Sequence, residues 1–148
     1  MKFVIQRVSG AKVEIGGMVH GEIQKGFLVL IGVCDTDTEA VADKMVRKMI
    51  GLRIFEDADG KTNLALKDVG GQLLLVSQFT LYADCKKGNR PSFIKAGSPE
   101  HAEKIYSYIT DACKTEIPVV ATGVFGADMQ VSLINDGPFT IVLDSDAL

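Results

Sequence analysis

Apolar residues along this chain follow the period of a strand in most stretches and the period of a helix in two. Lys2 to Ser9, with Phe3, Val4, Ile5 and Val8 around Gln6 and Arg7, reads as a strand. From Ala11 to Ile15, Val13 and Ile15 alternate with Lys12 and Glu14, as in a half-exposed strand. Gly16-Gly17 predicts a hairpin turn and Met18 to Ile23 the return strand. Gly26 to Cys34 is apolar throughout Phe27-Leu28-Val29-Leu30-Ile31, which predicts a strand buried on both faces. The run Leu73-Leu74-Leu75-Val76 repeats that pattern inside a strand predicted over Gln72 to Phe79. Short strands are predicted at Leu52 to Phe55 and Ile117 to Val124, an alternating one at Asp128 to Ile134, and a last one at Phe139 to Leu143. Gly137-Pro138 reads as a break between the final two. Asp57 to Gly60 is a turn, and Asn63 to Val69 follows neither period.

Helical spacing appears twice. Thr36-Asp37-Thr38-Glu39 has the pattern of a capping box, with Thr36 as the cap and Glu39 reaching back. Ala42, Met45, Val46, Met49 and Ile50 then share one face, and Gly51 ends the helix. Ser98-Pro99-Glu100 starts the second helix, whose apolar face is Ala102, Ile105, Tyr106, Ile109, Ala112 and Cys113. Two main helices among roughly eight strands predict an α+β fold. We expect a curved, barrel-like mixed or antiparallel sheet with both helices packed on one side. Strands and helices alternate too sparsely for a doubly wound fold. Residues 1–148 are expected to form one domain.

Composition narrows the class without naming it. An apolar fraction of 47% argues against disorder. A net charge of −3 gives no global attraction to nucleic acid or anionic membrane, so any such contact needs a local patch. Cys34, Cys85 and Cys113 are odd in number and lack CxxC spacing, which fits a reducing cytoplasm. No apolar stretch reaches the length of a membrane span, and the N-terminal one is too short for a signal peptide.

The search for reactive groups removes the familiar arrangements. Ser77 lies in no G-x-S-x-G elbow. His20 falls in a hairpin strand and His101 reads as a solvated residue of a helix's first turn, so neither is placed to serve a triad. No metal-ligand spacing and no phosphate-cradling glycine loop occur, so no metal or cofactor is expected. Cys85, beside Lys86-Lys87, reads as an incidental surface thiol. Ser77, Gln78 and Thr80 remain, at the end of an apolar strand. Backbone N–H groups there suit stabilisation of an oxyanion, and local strand termination by Ser77 and Thr80 explains the same residues. Gly137-Pro138 is either a turn or a rigid wall made of backbone. The loop Asp84 to Lys95 holds four basic residues, Lys86, Lys87, Arg90 and Lys95, against one acid. It reads as a solvated loop or as a local phosphate contact.

At these residues the chain resembles the D-aminoacyl-tRNA deacylases. Ser77-Gln78-Phe79-Thr80-Leu81 matches one signature of that family, and Asn135-Asp136-Gly137-Pro138 with Thr140 matches the other. Ile5-Gln6-Arg7-Val8, Arg90-Pro91-Ser92-Phe93 and Ala127-Asp128-Met129-Gln130-Val131 are similar to further family segments, so the resemblance spans the chain. Phe139 departs from it, at a position where the family commonly has valine.

The resemblance implies a cytoplasmic homodimer with its active sites at the subunit interface and no membrane contact. The substrate would be the ester joining a D-amino acid, or glycine, to the terminal adenosine of tRNA. Ser77, Gln78, Phe79 and Thr80 would be catalytic. Gly137 and Pro138, joined by a cis bond, would exclude an L side chain, with Arg7 holding them and Met129 and Phe139 beside the substrate. Lys86, Lys87 and Arg90 would contact the tRNA. Two other readings stay open: a non-catalytic nucleic-acid-binding dimer that uses the basic loop, and a general esterase with Ser77 or Thr80 as nucleophile.

Overall fold

In the computed structural model, which describes Met1–Leu148, the two strands predicted at the N-terminus are one, β1 (Lys2–Ile15). The reason is its neighbours. One edge of β1 pairs along nearly its whole length with β8 (Gln130–Asp144). Its other edge pairs first with β3 (Gly26–Gly32) and then with β2 (Met18–Ile23), both antiparallel. Ser9 and Gly10, where the alternation falters, mark the change of partner on one edge and a register shift against β8 on the other.

β3 pairs in parallel with β6 (Gln72–Ser77), and β6 with β7 (Val120–Thr122), giving the order β2-β1-β3-β6-β7 with β8 beside β1. The sheet curls until β2 nears β7: a Cβ on Gly21 would stand 2.8 Å from the Thr122 carbonyl oxygen. That near closure is the expected barrel-like mixed sheet. A separate hairpin pairs β4 (Phe55–Glu56), which takes only the last residue of the strand predicted over Leu52 to Phe55, with β5 (Thr62–Leu64), and a 3-10 turn at Lys67–Val69 completes the stretch left unassigned.

The strands predicted to be buried on both faces are so. Phe27, Val29, Ile31, Leu73 and Leu75 join the main core under helices α1 (Glu39–Ile50) and α2 (Pro99–Glu116). Leu28, Leu74 and Val76 face the opposite way and join Val8, Val13 and Ile23 inside the curl. Burying a side chain of this size stabilises by about 1.5–3 kcal/mol. A sheet covered on both sides is therefore a firm base for the loops at its edge. Neither helix is long and apolar enough to cross a membrane.

Local details also differ from expectation. Helix α1 is capped by Thr38, whose hydroxyl accepts from the Val41 amide at 3.3 Å, and not by Thr36. Asp37 cannot enter the helix, because it turns inward. Its carboxylate takes the buried Met1 ammonium at 2.8 Å and the Cys34 amide at 2.8 Å, and Met1 also meets Ser145. His101, expected in solvent, is half-buried and bonded to the Asp37 carbonyl at 3.0 Å. The break expected at Gly137-Pro138 is a bulge: β8 is one strand, but its ladder with β1 is interrupted between Asn135 and Thr140.

Candidate functional site

Strand β6 stops at Ser77 because the chain then folds into a 3-10 turn, Phe79–Tyr82. Gln78 donates its amide to the Ile31 carbonyl at 2.7 Å, and the turn's first bond runs from Leu81 to Gln78. The N–H groups of Phe79 and Thr80 precede that bond and have no partner within the turn. Gly32 lets the turn pack against β3, since a Cβ there would stand 3.3 Å from the Gln78 carbonyl oxygen.

Beside this strand end lies a cleft of about 610 Å³. Ser77, Gln78 and Phe79 line it, as does Met129 from the start of the last strand's approach. Thr80 does not; its hydroxyl accepts instead from the Gln78 side-chain amide at 2.5 Å. The cleft walls also include Tyr106, Phe125, Phe93 and Ala102, which the sequence reading assigned only to a helix face, a loop or nothing. Helical spacing marked Tyr106 and Ala102 as core. It carried no signal that the top of that core is open.

Tyr106 holds the floor of the cleft. Its hydroxyl donates to the Leu75 carbonyl at 2.8 Å, and burial pushes its pKa up to about 12. Phe125 rests against it, ring centres 6.2 Å apart. Gly123 bonds to Leu75 at 3.0 Å and leaves space for the Met129 sulfur, which a Cβ would meet at 2.4 Å. No hydrogen bond joins Ser77 to a histidine or carboxylate, and neither histidine lines the cleft. Asp128 is the one carboxylate in the lining, and no hydrogen bond joins it to Ser77, so the site offers backbone donors, apolar walls and no base engaged with the serine.

The second predicted stretch has a different form. Gln6 pairs with Thr140 and Val8 with Asn135, so Arg7 alone faces the four residues Asp136 to Phe139. Pro138 breaks no ladder bond there, because the ladder is already interrupted. Arg7 is 5% exposed and occupies the gap. Its Nε donates to the Asp136 carbonyl at 2.9 Å, Nη2 to the Gly137 carbonyl at 3.1 Å and Nη1 to the Ile54 carbonyl at 2.6 Å. The Asp136 carboxylate is 3.1 Å from Nε, and the Phe139 ring lies 4.6 Å from the guanidinium carbon. Asn135 closes the bulge by donating to the Arg7 and Phe139 carbonyls, at 3.0 and 3.1 Å. The Gly137-Pro138 bond is cis, and both residues are exposed.

Within one chain the two stretches do not meet. Ser77 is in register with Ile31, Ile31 with Phe3, and Phe3 with Leu143. That separates them by three inter-strand spacings, roughly 14 Å, and by a further length of strand. Gly137 and Pro138 are not among the cleft's lining. Lys86, Lys87 and Arg90 stand on the exposed loop next to the cleft and take part in no ion pair.

Comparison with known proteins bears on this geometry. Residues 4–144 match the family model described as D-Tyr-tRNA(Tyr) deacylase. A D-aminoacyl-tRNA deacylase of Clostridium novyi (strain NT) is 52% identical over 145 residues, covering 98% of this chain and 97% of that protein. One of Thermosipho africanus (strain TCF52B) is 52% identical over the same shares. Among solved structures, one named c-Myc DNA Unwinding Element Binding Protein superposes with a TM-score of 0.92 at 41% identity, covering 97% of this chain and 98% of that one.

Proposed function

The chain belongs to the D-aminoacyl-tRNA deacylase family, hydrolases of ester bonds, and we propose how its two separated stretches divide that reaction. The cleft beside Ser77, Gln78, Phe79 and Thr80 receives the aminoacyl ester. Gly137 and Pro138 of the partner subunit, in a cytoplasmic homodimer of single-domain chains, close it and test its handedness. The observation that carries this reading is the arginine-held bulge. Asp136 and Gly137 are exposed, yet a buried guanidinium fixes both carbonyls. An exposed segment held that firmly is suited to meeting another molecule.

The chemistry asks little of side chains. An aminoacyl ester is already an activated acyl group. The neighbouring ribose hydroxyl of the substrate assists the attacking water. The N–H groups of Phe79 and Thr80 stabilise the oxyanion. A covalent route through Thr80 or Ser77 needs a base hydrogen-bonded to the hydroxyl, and neither has one, so we favour attack by water. Rejecting L-substrates ten-thousandfold takes about 5.5 kcal/mol, at about 1.4 kcal/mol for each factor of ten. A backbone wall reaches that by steric exclusion at the α-carbon. Glycine has nothing to exclude, so glycyl-tRNA mischarged on tRNA(Ala) is also a substrate in this reading.

Incubation with matched D- and L-aminoacyl-tRNA tests the proposal. Cleavage of the D form and of glycyl-tRNA with the L form spared is expected. Equal cleavage of D and L, or of neither, would refute it. Sedimentation of the free protein tests the dimer, and a monomer at assay concentration would remove the interface site.

A further inference from the structure

Arg7 is a buried cation with one ion-pair partner, Asp136, whose side chain is 47% exposed. A carboxylate so open to water balances a charge weakly. Other groups must replace the water that Arg7 gave up on burial. The carbonyls of Ile54, Asp136 and Gly137 supply part of that replacement. Two rings supply more. The guanidinium carbon stands over the Phe139 ring, 4.6 Å from its centre, and over the Phe55 ring, 6.0 Å from its centre. A ring attracts a cation through the negative charge of its face and occupies no N–H donor. It therefore adds to the carbonyls without competing with them.

The two rings are anchored differently. Phe55 belongs to the core, 1% exposed and stacked on Phe27 with centres 5.3 Å apart and planes 15° apart. It stands at the outer limit of an effective contact, about 6 Å. Phe139 belongs to the bulge and stands well inside that limit. It is half-buried against the main core, and its carbonyl accepts from Asn135 at 3.1 Å. It lies outside the lining of the cleft in its own chain. The bulge thus carries its own clasp: Phe139 grips Arg7, and Arg7 grips the two residues before Pro138.

We propose that Phe139 is a positioning residue for the test of handedness: its ring keeps the Arg7 guanidinium dry and in place, and Arg7 fixes the bulge. This rests on the reading of Gly137 and Pro138 as the gauge, and it adds the residue that sets the gauge's stiffness. Phe139 acts on the substrate only through Arg7, and not by standing beside it. Without the ring, water reaches the guanidinium and competes for the Asp136 and Gly137 carbonyls. The wall then yields to an L side chain of any size.

The test pairs a spectroscopic readout with a kinetic one. Phe139→Leu keeps apolar bulk and removes the ring face. The NMR signal of the Arg7 Nε proton is identified by its loss in Arg7→Met. Its exchange with water should be about two- to thirtyfold faster in Phe139→Leu, the range for a cation–ring contact from exposed to desolvated. The ratio of kcat/KM for D- over L-aminoacyl-tRNA should fall by a similar factor in Phe139→Leu, equally for small and large amino acids. In the Arg7→Met background the same substitution should change the ratio by less than about twofold, because the two residues act as one unit. Thermal melting establishes that each variant is folded. Unchanged Nε exchange in folded Phe139→Leu overturns the proposal and leaves the gauge standing. An equal fall of the ratio in the Arg7→Met background overturns it too, since the ring then acts on the substrate directly. Faster exchange with the ratio unchanged in both single variants removes the gauge itself, and the proposal with it.

Discussion

The cleft beside Ser77 and the bulge opposite Arg7 both arise where a strand departs from regular pairing, and they do so by opposite means. At the cleft the strand ends, its last amides are left without partners in the turn, and mostly apolar residues line the space beyond it. At the bulge the strand continues, and three extra residues are held out by one buried side chain. The first region is concave and has donors to spare. The second is exposed and has its carbonyls already satisfied. A receiving surface needs unspent hydrogen-bonding capacity, whereas a gauge needs a fixed shape. The contrast between the two regions matches those needs.

Substitutions can break or sharpen this contrast. The largest effect expected touches neither region and calibrates both. Asp37→Ala strands the buried Met1 ammonium, and loss of one partner of a buried pair costs about 3–5 kcal/mol. Urea unfolding should show that loss in a single transition, with the D-to-L cleavage ratio of the folded fraction unchanged.

Arg7→Met comes next. It frees the carbonyls of Ile54, Asp136 and Gly137 together. We expect about 2–3 kcal/mol of lost stability, below the sum of the bonds, because the Asp136 carboxylate is solvated once released. Its decisive readout is selectivity. The ratio of kcat/KM for D- over L-aminoacyl-tRNA should fall at least about tenfold. An unchanged ratio would deny the bulge its role as a gauge.

Tyr106→Phe acts on the cleft alone. Losing this bond leaves the buried Leu75 carbonyl with the Gly123 amide as its remaining donor and should cost about 0.5–1.5 kcal/mol, with the D-to-L ratio intact. It also carries a pH signature. The tyrosine's pKa is raised in the folded state above its ordinary value of 10.0, to about 12. Its contribution is therefore complete below pH 10 and is lost as the pH rises toward 12. Denaturation followed through that alkaline window should fall less steeply in the variant.

The smallest effect belongs to Thr80→Ala. The hydroxyl only accepts from the Gln78 amide, so deacylation should persist within about tenfold of wild type. Collapse by a thousandfold or more would instead point to a threonine nucleophile.

Much of this architecture was legible in the sequence, and the failures have physical causes. The runs Phe27–Ile31 and Leu73–Val76 announced a sheet covered on both faces, and two helical faces announced the cover. What failed was continuity. A strand's length is set by its neighbours, so Ser9-Gly10 and Gly137-Pro138 looked like ends when they are irregularities inside longer ladders. The Thr36 cap failed because a contact 36 residues away, Met1 with Asp37, overrides local capping chemistry. At the site, Ser77, Gln78 and Phe79 could be found from a strand that ends in polar residues. Arg7 could not be assigned from its own surroundings. A lone arginine in an apolar strand states a need for acceptors, and its acceptors lie 47 to 130 residues further on.

Finally, β1 finds its longest partner only at the far end of the chain. During synthesis at about 5–20 residues per second, the first strand must wait roughly 6 to 26 seconds before β8 has been made. Until then the edge that β8 will cover is open to any other extended chain nearby. The order of manufacture thus exposes for longest the strand on which the rest is assembled, and folding in the cell depends on that edge staying unpaired until its partner arrives.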